Sequence, residues 1–311
     1  MNILEIKGVS KSYAAHQALD SVTLDVPKGS VFGLLGPNGA GKTSLIRIIT
    51  SITAPDEGEI IFAGEKLSAS HIRKIGYLPE ERGLYKKMEV GEQAMYLARL
   101  KGLTKAEALK MLKFWFEKFE IEGWWNKKIE ELSKGMAQKV QFITTIVHQP
   151  DFLILDEPFT GFDPINAERI KNELLELSQK GTTIILSTHR MESVEELCSH
   201  IALINNAKVI LKGSVKDIRR QFRSNEYDIL YRGNRIGFTN ALWTGCELLD
   251  LKEDAEGNVA RVKMLNGYST NQLLSALIPH VEIMGLQEVI PSMNDIFIEQ
   301  VNQSIKTVAH E

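Results

Sequence analysis

Short apolar segments that alternate with helical ones predict an α/β protein. Some segments alternate apolar and polar residues between turn signals, which is typical of strands with one buried face. Two others are almost wholly apolar, as expected of strands buried on both faces of a parallel sheet. The predicted strands of this first part of the chain are residues 3–9, 22–26, 30–35, 59–63, 152–155 and 183–187.

Helical patterns separate these strands. Residues 43–49 place apolar side chains on one face, and residues 88–149 are rich in Leu, Lys and Glu with helical spacing. Asp163 followed by Pro164 predicts a helix start, with Asp as the N-cap and Pro as the first helical residue. Gly181 predicts the end of that helix. Strand, helix and strand in this order predict a parallel sheet.

The pattern changes after about Gly213. Residues 226–231 and 259–264 alternate, residues 273–278 have helical spacing, and residues 280–289 predict another strand. Ser292 is placed to cap a last helix through Ile298. We therefore predict a first domain at 1–220, with a helical subdomain at about 88–148, and a small α+β domain at 221–311.

Composition and charge narrow the functional classes. The 311 residues are 43% hydrophobic and 25% charged, and the net charge is −3, which disfavours a protein that lives on nucleic-acid phosphates. Two distant cysteines, Cys198 and Cys246, fit a reducing compartment. The first seven residues alternate and do not predict a signal peptide, and no segment approaches the ~20 apolar residues of a membrane span. Any role at a membrane is expected from outside the bilayer.

A phosphate-binding motif lies between a predicted strand and a predicted helix. The pattern is G-x-x-x-x-G-K-[ST], formed by Gly36, Pro37, Asn38, Gly39, Ala40, Gly41, Lys42 and Thr43. Its backbone N–H groups can converge on phosphate oxygens, and the helix that follows directs its positive N-terminus at them. Lys42 is expected to reach the β- and γ-phosphates, and Thr43 to offer a hydroxyl to Mg²⁺. No Asn-Lys-x-Asp element for guanine is present, so we expect adenine.

Two acidic residues end the buried strand at 152–155. Asp156 is placed to hold Mg²⁺, directly or through water. Glu157, one residue further, can face the γ-phosphate and orient or deprotonate the attacking water. Alone, two acids at a strand end are often solvated side chains; downstream of a phosphate-binding loop they predict a hydrolytic site.

Several further motifs, in the expected order, make the chain resemble the ABC ATPases. Leu132-Ser133-Lys134-Gly135-Met136 is similar to the Leu-Ser-Gly-Gly-Gln signature of that family. Tyr13 matches its adenine-stacking aromatic, and Gly161-Phe162-Asp163 matches the loop after the catalytic glutamate. His189 matches the switch histidine. The string 79–84 and the appended domain resemble a branch that includes ATP-binding subunits of bacterial exporters of the sodium-extrusion type.

The resemblance implies a fold and a set of roles. It implies a P-loop NTPase core of the ABC type with a parallel sheet, an antiparallel β subdomain and a helical subdomain, followed by the α+β C-terminal domain. It also implies two subunits that enclose two MgATP molecules. Ser133 and Gly135 would face the ATP of the other subunit, Asp163 would lie at the dimer seam, and His189 would contact the γ-phosphate.

The chain departs from the family pattern at three positions. Lys134 replaces the first signature glycine and Met136 replaces the glutamine, while Ser133 and Gly135 are retained. Glu80 stands where the broad family has a glutamine that contacts Mg²⁺ and water. A carboxylate can still bind Mg²⁺, so we keep Glu80 as a catalytic and metal-binding candidate that tunes metal dependence or the rate of hydrolysis.

The expected function is that of an ATP-hydrolysing subunit of a membrane exporter. Its partners would be a polytopic permease, contacted through residues 80–96, and a second copy of itself or a paralogous ATPase, with no nucleic acid. It would lie in the cytoplasm, held at the inner face of the membrane by the permease. Two alternatives stay open: a soluble ABC-type ATPase that acts on ribosomes or DNA, and a nucleotide-dependent switch not coupled to transport.

Overall fold

In the computed structural model, the chain divides into two compact units. The structure describes residues 1–14, 16–81, 83–242, 245–254, 257–265 and 267–308. The first unit comprises Met1–Val215 and Glu299–Glu311, and the second Lys216–Ile298. The predicted division into domains 1–220 and 221–311 stays a prediction.

Two sheets organise the first unit. The strands are β1 (Asn2–Tyr13), β2 (His16–Pro27), β3 (Val31–Leu35), β4 (Glu57–Phe62), β5 (Glu65–Lys66), β6 (Ile75–Leu78), β7 (Phe152–Asp156), β8 (Thr183–Ser187), β9 (His200–Asn205) and β10 (Lys208–Ser214). An antiparallel sheet has the order β2-β1-β4-β5, and a six-stranded sheet has the order β10-β9-β3-β8-β7-β6. Strands β9, β3, β8, β7 and β6 pair in parallel, as predicted for the buried apolar runs.

Six helices accompany these strands in the described residues, and a seventh begins at Val215 and belongs otherwise to the second unit. They are α1 (Lys42–Ile49), α2 (Val90–Leu100), α3 (Lys105–Lys118), α4 (Lys134–Ile146), α5 (Pro164–Gln179), α6 (Met191–Leu197) and α7 (Val215–Gln221). The predicted cap at Asp163 is confirmed, because its side chain accepts a hydrogen bond from Asn166 N. Ser133 caps α4 in the same way by accepting one from Met136 N. The core of this unit lies between the two sheets and α1, with Leu4, Ile46 and Phe152 fully buried in it.

The predicted helical stretch at 88–149 is not continuous. It forms α2, α3 and α4, with 3-10 turns at Glu122–Trp124 and Ile129–Glu131. Loops interrupt it because Gly102 adopts a φ of 101° and Glu120 a φ of 58°, both outside the helical region. Of the aromatic side chains of this region, Trp115, Phe116 and Phe119 are buried, while Phe114 and Tyr96 are exposed.

Gly91 in α2 is required by close packing. A Cβ at this position would lie 2.3 to 2.5 Å from ring atoms of Trp125. A Gly91→Ala variant should therefore lose about 1–3 kcal/mol of unfolding free energy through overpacking, less the gain in helix propensity. Urea unfolding would measure this loss. The control is Gly123→Ala, whose Cβ meets nothing within 4 Å; equal stability of the two variants would contradict the packing argument.

The second unit is a four-stranded antiparallel sheet with helices on its buried face. Its elements are β11 (Glu226–Arg232), α8 (Arg235–Ala241), β12 (Cys246–Asp254), β13 (Gly257–Met264), α9 (Thr270–Leu277), β14 (Glu282–Glu288) and the start of α10 (Met293–Val308). The strand order is β12-β13-β11-β14. Inward residues such as Ile229, Val262 and Leu273 form a separate core. The predicted strands at 226–231 and 259–264 are confirmed, but the predicted end of the last helix at Ile298 was wrong, since α10 continues to Val308.

Candidate functional site

The phosphate-binding loop connects β3 to α1, and its glycines are there for steric reasons. Gly36 and Gly41 have φ values of 151° and 116°. A Cβ on Gly36 would lie 2.2 Å from the carbonyl oxygen of Ile204, and one on Gly41 would lie 2.3 Å from that of Ala18. The loop is therefore confined on two sides by backbone, which allows no side chain at either glycine.

Within this loop, Lys42 is held by backbone carbonyl groups. Its Nζ donates to Gly36 O at 2.7 Å and to Pro37 O at 3.0 Å. Burial lowers the pKa of this ammonium group, while the carboxylates of Asp156, Glu157 and Glu80 oppose that shift. Three acidic side chains thus act electrostatically on one lysine. The cation is poised where the loop would receive phosphate oxygens.

The remaining residues of the loop differ in their exposure to solvent. Asn38 and Gly39 are exposed, and a Cβ on Gly39 would meet nothing within 4 Å, so that side of the loop is open. Ala40 is buried, and its N–H donates to Pro37 O at 3.2 Å. Thr43 is exposed in the first turn of α1.

Asp156 is the last residue of β7 and is only 5% exposed. Burial raises the pKa of its carboxyl group, as do the neighbouring charges of Glu80 and Glu157, and Lys42 lowers it. A buried carboxylate of this kind is costly unless a cation compensates it. Lys42 supplies part of that compensation, and a divalent cation would supply the rest.

Glu157 is held by the residues that follow β8. Its φ of 50° turns the chain sharply after the strand, and its N–H donates to Ser187 O at 2.8 Å. The Oε1 atom accepts a hydrogen bond from His189 N at 2.9 Å and lies 2.6 Å from His189 Nδ1. Thr188 Oγ1 donates to Oε2 at 3.3 Å. When His189 Nδ1 carries the proton, it donates to this carboxylate and leaves Nε2 as the free ring nitrogen.

Glu80 lies on the exposed loop after β6. Its charge raises the pKa of the Asp156 carboxyl group. The pKa of Tyr77 is raised to about 12, mainly by burial, and the charges of Asp156 and Glu80 contribute to this shift. The side-chain amide of Gln141, from α4, lies 3.4 Å from the carbonyl oxygens of Pro79 and Glu81 on either side of Glu80. The structure thus groups Lys42, Glu80, Asp156, Glu157 and His189. Arg82, in the string 79–84, lies outside the described residues.

The signature residues lie at the start of α4 and contact a different loop. Ser133 caps the helix, and a Cβ on Gly135 would lie 3.4 Å from Gly161 O. The Lys134 stem packs against Gly161. The first turn of α4 contains no acidic residue. Among the described contacts of Ser133 and Asp163, hydrogen bonds stay inside the first turns of their own helices, and none reaches the cluster around Lys42.

Tyr13 ends β1 and is 40% exposed. The Lys11 Nζ lies 5.6 Å from its ring centroid. Strand β2, which pairs with Tyr13 through His16, approaches the phosphate-binding loop at Ala18, beside Gly41. The ring therefore has free surface on the hairpin that adjoins the loop.

Sequence reasoning missed several residues that position the site. Thr188 binds the Glu157 side chain, and Gln141 binds the loop that carries Glu80. Gln138 Nε2 donates to Pro158 O at 3.2 Å, next to Glu157. Thr188 directly precedes His189 in the sequence, so its place beside the site could have been predicted. The two glutamines carry no comparable signal, because their partners are distant in sequence.

The residues present fit MgATP. A glycine loop with a buried lysine suits phosphate groups, and the hydroxyl of Thr43 with the carboxylates of Asp156 and Glu80 forms an oxygen donor set suited to Mg²⁺. No group of three or more His, Cys, Asp or Glu side chains in the described part of the chain could hold a metal alone. Mg²⁺ is usually bound by one or two carboxylates together with substrate phosphates.

The phosphate-binding loop follows β3 at the carboxyl end of the parallel strands, and the acidic pair lies at the end of β7, which is separated from β3 by β8. This arrangement defines a P-loop nucleotide-hydrolysing protein. Family comparison extends this assignment. The model for ABC transporters matches residues 19–160, and one described as the C-terminal domain of DrrA1-3-like ATP-binding proteins matches residues 213–301.

Individual relatives agree with the family models. The chain is 42% identical over 96% of its length to the uncharacterized ABC transporter ATP-binding protein YhaQ of Bacillus subtilis (strain 168), of which it covers 98%. It is 28% identical over 98% of its length to the linearmycin resistance ATP-binding protein LnrL of the same organism, covering all of it. A solved ATP-binding subunit of an ABC transporter aligns with a TM-score of 0.67 and 34% identity, over 71% of this chain and 93% of that one.

The chain therefore belongs to the ABC transporter ATP-binding proteins, a family of ATP-hydrolysing subunits. The predicted family and fold class are confirmed. The roles predicted for individual site residues stay predictions, which the geometry above makes specific.

Proposed function

We propose that this chain hydrolyses ATP to drive export through a separate membrane permease. The observation that carries the proposal is the grouping of Lys42, Asp156, Glu157 and His189 beside the phosphate-binding loop. The resistance function in the name of one relative supports the outward direction. No helix in the described residues is long and apolar enough to cross a bilayer. In this proposal the permease would hold the chain at the inner face of the membrane.

Each residue of the candidate site has a defined part in this proposal. Lys42 and the loop amides would bind the β- and γ-phosphates, and Tyr13 would stack on adenine. Thr43, Asp156 and Glu80 would hold Mg²⁺, which neutralises charge on the phosphates. Glu157 would orient and deprotonate the attacking water, with His189 holding its carboxylate in place.

Two copies are needed to complete each site in this proposal. Ser133 and Gly135 lie at the start of a helix whose first turn contains no acidic residue. Within the chain they contact Met136 and Gly161, away from the cluster around Lys42. The N–H groups of such a helix start favour an anion. We infer that they face the γ-phosphate bound by a second copy or a paralogue, with Asp163 at the seam. ATP then favours the closed pair, and hydrolysis reopens it.

The permease would dock on residues 80–96. Tyr85 and Tyr96 are 57% and 46% exposed there, and exposed aromatic side chains are frequent anchors at interfaces. The segment also begins at Glu80, which is part of the nucleotide site. A helix of the permease seated on it would therefore sense ATP through the Glu80 loop.

Co-purification tests the proposal. The tagged chain is isolated from gently solubilised membranes of its own cell, and stoichiometric partners are identified by mass spectrometry. We expect a polytopic membrane protein at a one-to-one ratio, which Tyr85→Ala and Tyr96→Ala together should deplete. Ribosomal or DNA-bound partners, or only the chain itself, would instead favour a soluble ATPase or a switch.

Replacing Glu80 by glutamine tests its role in metal binding. The change removes one negative charge beside Asp156. An exposed charge pair contributes up to about 1 kcal/mol, so the Mg²⁺ concentration for half-maximal activity should rise by up to about fivefold. Mn²⁺ binding with ATP, followed by electron paramagnetic resonance, should weaken in parallel.

Glu81→Gln is the matched control for this substitution, since Glu81 is an exposed acid on the same loop, whereas the charges that chiefly shift the pKa of Asp156 are those of Glu80, Glu157 and Lys42. Unaltered kinetics and Mn²⁺ binding in Glu80→Gln, or the same change in both variants, would remove Glu80 from the metal site.

A further inference from the structure

The turn between β9 and β10 is a tight hairpin that adjoins the phosphate-binding loop. Asn206 and Ala207 have φ values of 46° and 66°, both in the left-handed region. Alanine rarely adopts this conformation, because its Cβ makes it unfavourable. The turn therefore keeps its shape only because its surroundings hold it.

Two contacts join this hairpin to the loop. Ala207 N donates to Ala40 O at 3.2 Å. The carbonyl oxygen of Ile204 occupies the space that a Cβ on Gly36 would need, at 2.2 Å. The hairpin therefore packs against the 36–43 loop at Gly36 and at Ala40, and we call it the rear wall of the loop.

Asn205 connects the same hairpin to the C-terminal helix. Asn205 is only 4% exposed, and its side-chain Nδ2 donates to Ser304 Oγ at 2.6 Å. Ser304 Oγ in turn donates to Val301 O at 2.8 Å within α10. A buried amide donor without a partner is costly, so this contact fixes the helix and the hairpin together.

Helix α10 is unusual in its place along the chain. It begins at Met293 in the second unit, and its residues from Glu299 onward belong to the first. Both Asn205 and Ser304 therefore lie in the first unit. The helix is a continuous connection between the C-terminal unit and a residue next to the phosphate-binding loop.

We propose that the C-terminal part of α10 positions the phosphate-binding loop through Ser304 and Asn205, and that it thereby raises the affinity for ATP. This inference rests on the proposed role of the 36–43 loop in holding the phosphates. Ser304 and Asn205 are positioning residues, since they act through Ile204 and Ala207. Without their bond the rear wall relaxes, and ATP must bind to a less ordered loop.

The test is Ser304→Ala in the full chain. We expect the Kd for a fluorescent ATP analogue with Mg²⁺ to rise about threefold to tenfold, the range of one buried hydrogen bond. The KM for ATP should rise in parallel, with kcat within about twofold, because the wall orders the loop and not the reacting atoms. Ser304→Thr keeps the hydroxyl and should restore both values.

Ser275→Ala is the matched control. The Ser275 hydroxyl also donates to a carbonyl of its own helix, Asn271 O at 2.8 Å, but lies on α9 in the second unit. It should leave Kd and KM unchanged. In a double-mutant cycle, Asn205→Ala and Ser304→Ala should be strongly non-additive in Kd. Additive effects, or an unchanged Kd in Ser304→Ala, would overturn the proposal.

Hydrogen exchange separates this inference from the proposed function. In nucleotide-free protein, the amides of residues 36–43 should exchange faster in Ser304→Ala than in the unaltered chain, while those of β11 and β13 keep their rates. Equal rates at 36–43 would overturn the inference. Failure of the unaltered chain to bind MgATP would instead overturn the proposed function, and the exchange measurement would still decide the positioning role of α10.

Discussion

A Glu157→Gln variant should lose about 10²- to 10⁴-fold in ATP turnover while it still binds MgATP. The magnitude is that of a general base in the transition state. The substitution is nearly isosteric, and an amide oxygen can still accept the hydrogen bond from His189 N that holds the carboxylate, 2.9 Å long. What the amide cannot do is accept a proton from water. Binding and hydrolysis should therefore separate at this residue.

Steady-state phosphate release and equilibrium binding measure the two sides of this prediction. In the proposed cycle the variant retains ATP, so two copies should stay closed and migrate as a dimer on a sizing column with MgATP. His189→Ala should slow turnover less, because it removes an orienting group and not the base. Turnover unaltered in Glu157→Gln would take the role of base away from Glu157, and lost ATP binding would make the residue part of the binding site instead.

The chemistry of the site could be predicted from the sequence because local spacing determines it. Gly36, Gly41 and Lys42 occupy fixed places in a loop whose geometry the motif itself specifies. Asp156 and Glu157 were predictable for the same reason, since an apolar strand delivers its last residues to the carboxyl edge of the sheet. The structure adds the lateral contacts, such as His189 with Glu157, that the order of motifs implied but could not measure.

Prediction failed where structure depends on contacts between distant residues. The hairpin of β9 and β10 gave no prediction, although Ile204 and Ala207 form the wall behind the loop. Their partners Gly36 and Ala40 lie more than 160 residues earlier, and a single sequence does not pair them. The extent of α10 was missed although Val301, Ile305 and Val308 continue the helical spacing of Phe297. The polar contact of Ser304 with Asn205 has no periodic signal.

The helical region illustrates a different limit. Its composition favours helix throughout, and the pattern predicted a helical region at 88–149 without locating the breaks at Gly102 and Glu120. The chain turns at these two residues, with φ values of 101° and 58°, and the segments so formed pack against one another, as Gly91 does against Trp125. Local propensity is weaker than such packing, and boundaries are accordingly the least predictable feature of a helix.

A Lys42→Met variant should bind MgATP about 10- to 150-fold more weakly. Methionine keeps an apolar side chain of similar length but removes the cation, and a charge-assisted hydrogen bond to phosphate contributes about 1.5–3 kcal/mol. The loss also leaves the negative charges of Asp156, Glu157 and Glu80 without the lysine that they surround. Phosphate approach then meets repulsion as well as a missing donor. Isothermal titration with MgATP, and with MgADP for comparison, measures the effect.

Lys101→Met is an unusually close control for this change. Lys101 is also half-buried, its Nζ donates to two backbone carbonyls, Ile72 O at 3.0 Å and Ile75 O at 2.7 Å, and burial likewise lowers its pKa. The two lysines differ in that only Lys42 has the three site carboxylates acting on it. We expect Lys101→Met to reduce stability and to leave ATP affinity unchanged. If both variants lost affinity equally, the effect of Lys42 would be one of buried-lysine packing, and its place in phosphate binding would have to be abandoned.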